Sequence, residues 1–477
     1  MQCEIKPKSL KLNAILSIIR TLLNVAIPLL IFPYVSRVLG PENIGKVEFA
    51  NSVENYFILF AALGIPAYGI REIARVRNNK DLLSKTISEL TVILIITNLI
   101  CCITYVCIFF TGFSKPNDKL LYIVIFPNIL LSSFNYEWFY SGIEDQVYIT
   151  IRYIIIRLLQ ILAIFILIKQ KDDYIFYAII FVGMNGLSSI FNIIRLPKYV
   201  SPCSIFGLDI IRHIKPIFIT FSSIIAVSIY VQLDVTMVGI IVDDKAVGLY
   251  TTANKIIRVI ISIVTSLGTV MIPRLANNLA TGNIIEYKNN LYKSFNFILM
   301  FSLPFVFGII ATADDLILLF AGHQFSDSAF SMQLLSPIIV IVGLAHFIGL
   351  QLLYANKKEI IYTISVSMAA LINLIFNYVL IPIYRQNGAV VGTIIAETSG
   401  LLFMCILGKN YIKNGDFLDF NIIWYLVASF IMFALILIEK HIFRINMCFQ
   451  ILSGIIFYGL LIFPFVLRVK KKGRPIL

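Results

Sequence analysis

Charge is scarce in this chain. Only 14% of its 477 residues are Asp, Glu, Lys or Arg, while 59% are hydrophobic. That shortage excludes an ordinary soluble domain, in which about a quarter of the residues are charged. Histidine and cysteine are also few, at 4 and 7. The cysteines (Cys3, Cys101, Cys102, Cys107, Cys203, Cys405, Cys448) form no CxxC and have no neighbouring histidine. They read as small apolar fillers rather than metal ligands or disulfide partners. No GxxxxGK[ST] stretch occurs, so the chain is not an ATP-driven pump by itself. Long loops are missing as well. The longest expected outside the membrane, 313–328, offers only Asp314, Asp315, His323 and Asp327 and no nucleophile-base pair. No catalytic residue, metal site or cofactor is expected.

What the chain has instead is apolar sequence along its whole length, with a mean hydropathy of +0.90. Runs long enough to cross a bilayer, roughly 20 residues each, begin at 12–35 and 47–70 and recur through 215–241, 290–312 and 329–353 to 449–467. About fourteen such runs are expected to be transmembrane helices. The runs are continuous rather than alternating at period two, which argues for helices and against a β-barrel. The first run continues too far for a cleavable signal peptide and carries Arg20, so it reads as a span.

Basic residues set the orientation. With fourteen spans and both termini cytoplasmic, 24 of the 39 Lys and Arg fall in cytoplasmic segments and 10 in the opposite loops. The formal charge of +13 then faces the cytoplasm and anionic headgroups, which makes nucleic acid an unneeded partner.

The chain repeats itself. IGKVEFAN at 44–51 realigns with VGLYTTAN at 247–254, and Arg71 with Arg274 at the same offset of 203. Tyr140 and Tyr148 match Tyr354 and Tyr362 at an offset of 214. The expected organisation is an N-lobe over 1–200 (spans 1–6) and a C-lobe over 201–410 (spans 7–12) in the same orientation. Residues 411–477 hold two additional spans and a basic tail. Transporters built from such repeats place their substrate path between the halves.

Five bases remain inside the spans: Arg20, Arg152, Arg157, Lys255 and Arg258. A charge at mid-bilayer costs about 2.5–3.5 kcal/mol on insertion scales, so such groups point to a wet cavity or a partner. Asn13, Ser17, Arg20 and Asn24 form one stripe at the helical period. Glu48, Asn51, Ser52 and Asn55 form another, with Glu54 beside it, and the repeat partner carries Thr251, Asn254, Lys255 and Arg258. One reading is a central cavity in which Arg20, Arg157, Lys255 and Arg258, with Asn51 and Asn254, hold an anionic substrate. Arginine would bind phosphate bidentately and lysine as a point charge. The other reading is that these groups pair across helices or snorkel to the interface. Arg152, Glu48 and Glu137 sit near span ends, where pairing is the simpler account; Arg157, mid-span with Gln160 one turn away, fits either. Glu54, Asp234 and Glu397 are the candidates for proton or cation coupling. His346, the only histidine well inside a span, reads as a packing residue.

Three stretches add a resemblance. SRVLGPENIGKVEFANSVENYFILFAALGIPAYGIREIAR (36–75), NYEWFYSGIEDQVYITIR (135–152) and LIPIYRQNGAVVGTIIAE (380–397) are similar to the polysaccharide-biosynthesis flippases, the Wzx-type lipid-linked oligosaccharide transporters. The resemblance covers essentially the first twelve spans. It implies the multidrug/oligosaccharidyl-lipid/polysaccharide exporter fold: an all-α polytopic protein of two six-helix lobes in a V, plus two extra C-terminal helices. It further implies a bacterial cytoplasmic membrane location and an undecaprenyl-diphosphate-linked oligosaccharide as substrate. That unit would move from the cytoplasmic to the periplasmic leaflet by alternating access, coupled to H+ or Na+, beside a polysaccharide polymerase and its chain-length machinery. A drug or small-cation exporter of the same fold is the competing reading, disfavoured because such a cavity should be acidic or aromatic. A membrane polymerase or glycosyltransferase is disfavoured by the absence of a displayed catalytic cluster.

Overall fold

The computed structural model describes residues 10–109, 118–201, 207–417, 421–443 and 446–471. Among these residues every regular element is a helix. That outcome follows from the solvent, because in lipid each backbone N–H and C=O has to be satisfied within its own segment. The chain separates into two compact units, Met1–Gly239 and Ile240–Leu477.

The first unit opens with α1, Leu10–Ala62, which is continuous except at Gly40, where φ is 75° and ψ is 172°. Glycine adopts that backbone without a Cβ penalty, and Pro41 behind it starts the next half with a fixed φ. The glycine-proline pair therefore turns the chain between the first two expected spans without a separate loop. Leu63 and Gly64 also have positive φ and lead into α2, Ile65–Val76. Next comes α3, Lys80–Ile108, capped by the Asn79 side chain, which accepts from the N–H groups of Asp81 and Leu82, each at 3.1 Å.

The fourth expected span is not one rod but three pieces: α4 Lys119–Ile125, α5 Pro127–Ser133 and α6 Glu137–Gly142. Pro127 lacks the N–H that would continue the ladder, and Tyr136 sits at φ 51°. The unit closes with α7 Gln146–Leu167, α8 Tyr174–Arg195 and α9 Ile211–Ile241. Its core joins α2, α3 and α6 through Ile73, Leu90, Phe139 and Tyr140, all essentially sealed. Gly69 is required by close approach, since any Cβ there would collide with the Trp138 ring.

The second unit holds α10 Asp244–Ala280, α11 Ile284–Phe320, α12 Asp327–Leu335, α13 Ile338–His346, α14 Glu359–Tyr384, α15 Gln386–Leu407, α16 Lys409–Gly415, α17 Asn421–His441 and α18 Met447–Lys471. A π-helical stretch, Phe347–Leu353, follows α13. Asp243 caps α10 by accepting from the Ala246 N–H at 2.7 Å. The last two helices pack on α11. The Tyr458 hydroxyl donates to the Met300 carbonyl at 2.6 Å, and Tyr425 to Asn296 at 3.1 Å.

Among the described residues, twelve helical segments are long and apolar enough to cross a membrane. The expectation was fourteen, and two features separate the numbers. The first segment runs through the Gly40 turn and carries both of the first two apolar runs. The run at 215–241 lies on α9, of which only Ser228–Ile241 registers, as a shorter apolar helix. The chain is a multi-pass membrane protein, and its regular elements among the described residues are all helices. The loop expected at 313–328 shrinks, because α11 continues to Phe320 and α12 begins at Asp327. Helices here outrun their apolar stretches, since polar residues extend a helix beyond the lipid. Cys101, Cys102, Cys107, Cys405 and Cys448 are free thiols, while Cys3 and Cys203 lie outside the described residues.

Candidate functional site

In the first unit the polar stripe of α1 faces α6 and α7. Arg20 donates from Nη1 to Glu137 Oε1 at 2.7 Å, and Arg152 donates from Nη2 to Glu137 Oε2 at 2.6 Å. One carboxylate thus serves two guanidinium groups. The Arg152 side chain is only 4% exposed, against 36% for Glu137, so the shared acid is the more open partner and this base is sealed. Two further nitrogens of Arg152, Nε and Nη1, are buried without a hydrogen-bond partner. One turn along α1, Asn24 Oδ1 accepts from the Tyr153 hydroxyl at 2.5 Å. Arg157 lies over the Tyr153 ring, 5.1 Å from its centroid, and donates to Gln160 Oε1 at 2.5 Å. The set holds three arginines and one glutamate, a net positive charge in a membrane-spanning unit.

The second half of α1 carries the acids. Glu54 is 1% exposed, hydrogen-bonds to Asn128 on α5, and leaves Oε1 without a partner. Asn128 Oδ1 in turn accepts from Asn185 of α8 at 3.1 Å. Asn51, one turn before Glu54, is half-buried with its Oδ1 unsatisfied. Asp234 of α9 is buried beside Tyr56, and the nearby Thr236 hydroxyl donates to Ser52 Oγ at 3.0 Å. Glu54, Asn51 and Asp234 therefore belong with Arg20 and Arg157 to the first unit.

The remaining expected residues belong to the second unit. Asn254, Lys255 and Arg258 are half-buried on α10, and Glu397 is half-buried on α15 near Tyr362. Asn373 and Asn377 of α14 are sealed, and Asn377 donates to Asn373 Oδ1 at 3.1 Å. His346 has its ring against Gly268, where a Cβ would not fit, and its Nδ1 is buried without a hydrogen-bond partner.

One cluster had no signature in the sequence. Glu89 of α3 is fully buried and accepts from His213 Nε2 at 2.9 Å, from the Asp209 N–H at 2.8 Å and from Arg212 Nη2. His213 is 1% exposed and meets the Tyr68 hydroxyl through Nδ1 at 2.7 Å. Its members come from α2, α3 and the segment that leads into and opens α9, the last more than a hundred residues along the chain from the other two, and hydropathy had placed His213 in a loop. Only the unusual acid inside an apolar stretch, Glu89, could have flagged it.

The family model described as Polysaccharide biosynthesis protein matches residues 10–279, more than half of the 477. The chain belongs to the polysaccharide biosynthesis protein family. The resemblance carried by residues 36–75 and 135–152 is thereby shown at the level of the family. A MatE family model matches residues 216–379 as well. Among curated relatives of this family member, the protein named "Putative O-antigen transporter" from Escherichia coli (strain K12) is 23% identical over 394 residues, spanning 81% of this chain and 94% of the relative. The "Probable low-salt glycan biosynthesis flippase Agl15" of Haloferax volcanii is 21% identical over 281 residues, 58% of this chain and 57% of that one. The solved structure of the lipid II flippase MurJ in an inward closed conformation shares the fold. Its TM-score is 0.73 at 19% identity, covering 96% of this chain and 99% of MurJ.

Proposed function

We propose that this family member is a flippase for undecaprenyl-diphosphate-linked oligosaccharide units. It carries them from the cytoplasmic to the periplasmic leaflet of a bacterial inner membrane, for O-antigen, capsule or other surface polysaccharide. The family and the printed names of the relatives support the substrate class. The observation within this chain that carries the reading is the arginine excess of Arg20 and Arg152 on the single Glu137, with Arg157 farther along α7 on the Tyr153 ring and Gln160. An unbalanced positive charge inside a membrane-spanning unit is costly unless an anion visits it, and a diphosphate is such an anion. Lys255 and Arg258 supply the matching bases of the second half, with the Asn254 amide beside them, and the sequence repeat over 1–200 and 201–410 suggests the two halves as the moving parts of an alternating-access cycle. Glu54, Asp234 and Glu397 are the candidate sites for a coupling H+ or Na+. The Lys and Arg bias supports a cytoplasmic location for both termini.

Reconstitution into vesicles with a fluorescent lipid-diphosphate oligosaccharide tests this directly. Charge reversal at Arg20, Lys255 and Arg258 is expected to abolish flipping while the protein still folds, and an imposed pH or sodium gradient to change the rate. Normal transport by those variants would exclude the assigned bases. The MatE match keeps a second reading, drug export, in view; ethidium efflux without lipid flipping would favour it.

A further inference from the structure

Outside the arginine set, a groove of about 720 Å3 lies between α2 and α9 in the first unit. Arg71 of α2 and Lys215 of α9 stand on its walls, with Ala67, Pro216, Ile219, Thr220 and Ile224 forming the rest. The two bases differ from their neighbours. Arg77 has Glu144 at 2.6 Å, Arg195 has Asp145 at 2.7 Å and Arg212 has Glu89. Arg71 instead makes one long contact, donating to Thr220 Oγ1 at 3.3 Å, and neither it nor Lys215 has a carboxylate within ion-pair distance among the described residues. Glu72 follows Arg71 in sequence and is half-buried.

The surroundings of the groove are oily. Ile211, Phe218 and Ile219 on α9 are 79%, 54% and 61% exposed, which a membrane protein tolerates where acyl chains cover the surface. Two unpaired cations above an apolar wall match a lipid whose head carries concentrated negative charge. A glycerophospholipid brings one negative charge and bulk lipid supplies it anywhere. A diphosphate brings about two and answers both bases, with arginine able to take two phosphate oxygens at once. The volume is that of a small-ligand pocket, a few hundred to about 1,000 Å3, enough for a diphosphate and the first isoprene.

We propose that this groove is the docking site for the diphosphate head of the polyprenyl carrier, with Arg71 and Lys215 on the phosphates and Ile219 and Ile224 along the prenyl chain. Under the orientation expected from the basic residues it lies at the cytoplasmic end, where the carrier would be loaded. The assignment rests on the flippase reading for its ligand.

The test measures equilibrium binding rather than transport, so that the two ideas fail separately. Full-length protein carrying Arg20→Gln, Lys255→Gln and Arg258→Gln, which removes the bases assigned above to the same head, is titrated in phosphatidylcholine nanodiscs with a fluorescent short-chain polyprenyl diphosphate. Arg71→Gln with Lys215→Gln is expected to weaken binding at least ten-fold. Arg71→Lys with Lys215→Arg should keep most of it, and Lys409→Gln on the second unit all of it. Should the double glutamine variant not fold, Ile219→Trp, an exposed position that fills the groove and keeps both charges, should weaken binding by the same order. Unchanged affinity in the folded variants overturns the proposal. So does equal competition by inorganic pyrophosphate, which would make the site one for free anions, or displacement by phosphatidylglycerol, which would make it a general headgroup contact. Tight groove-dependent binding, where the unsubstituted protein flips nothing, would refute the flippase reading and leave the site standing.

Discussion

Glu137 shows how much one side chain can be asked to do. Removing its charge leaves Arg20 and Arg152 facing each other with no acid between them. Losing one partner of a buried pair costs about 3–5 kcal/mol, and the exposure of Glu137 brings the expected loss down to roughly 2 kcal/mol. Glu137→Gln should therefore lower the thermal unfolding midpoint of the purified protein. Adding Arg152→Met to it should recover part of the loss, because the stranded cation goes as well. If the double variant unfolds no later than Glu137→Gln alone, Arg152 is not the stranded charge. This contact was not legible in the sequence. Arg20 and Glu137 are separated by 117 residues, and the stripe of Asn13, Ser17, Arg20 and Asn24 said that α1 has a polar face without saying what it meets. Asn24, Tyr153 and Arg157 repeat the lesson one turn away.

Among elements, the turn between α1 and α2 has the least freedom. Gly64 sits at φ 74°, and a Cβ there would lie 3.1 Å from the Phe221 backbone of α9. Left-handed backbone costs a non-glycine residue about 1–2 kcal/mol, and backbone on the far side cannot move aside as a side chain can. Gly64→Val should thus yield much less folded protein than Gly183→Val, since Gly183 has open space around it; size-exclusion profiles of the two in detergent would compare them. Equal monodisperse yields would mean that α9 has room to retreat. Elements were the most legible scale. Apolar runs marked the helices, and the gap between the runs at 12–35 and 47–70 marked the break in which the Gly40–Pro41 turn lies. The three pieces of α4 to α6 were not, because an apolar run with one proline at 127 reads the same whether it bends or breaks. Tyr136 has no residue-type reason to be left-handed.

For the whole molecule, the orientation rests on 24 basic residues against 10, and it can be checked without any substrate. Single cysteines placed at Lys80, just before α3, and at Lys245, in the first turn of α10, in a cysteine-free background should behave oppositely toward a membrane-impermeant maleimide. In intact cells Lys245→Cys is expected to label and Lys80→Cys only after lysis. The reverse pattern would invert the topology and with it the loading side of the groove at Arg71 and Lys215. Composition alone settled that the chain lives in lipid, and the repeat at an offset of 203 suggested two halves. Whether the acids at 54, 234 and 397 titrate during transport lay beyond a sequence, since burial and partner decide it. Asn128 beside Glu54 shows why: the residue that meets the acid is on another helix.

The turn at Gly40 has a mechanical consequence. From Leu10 to Ala62 the chain is helical with one residue off the helical track, so two crossings are joined by a bearing rather than by a tether. A tether absorbs sliding as slack. A bearing has none, and any tilt imposed on the Arg20 end reaches the Glu54 end as leverage about a single backbone position.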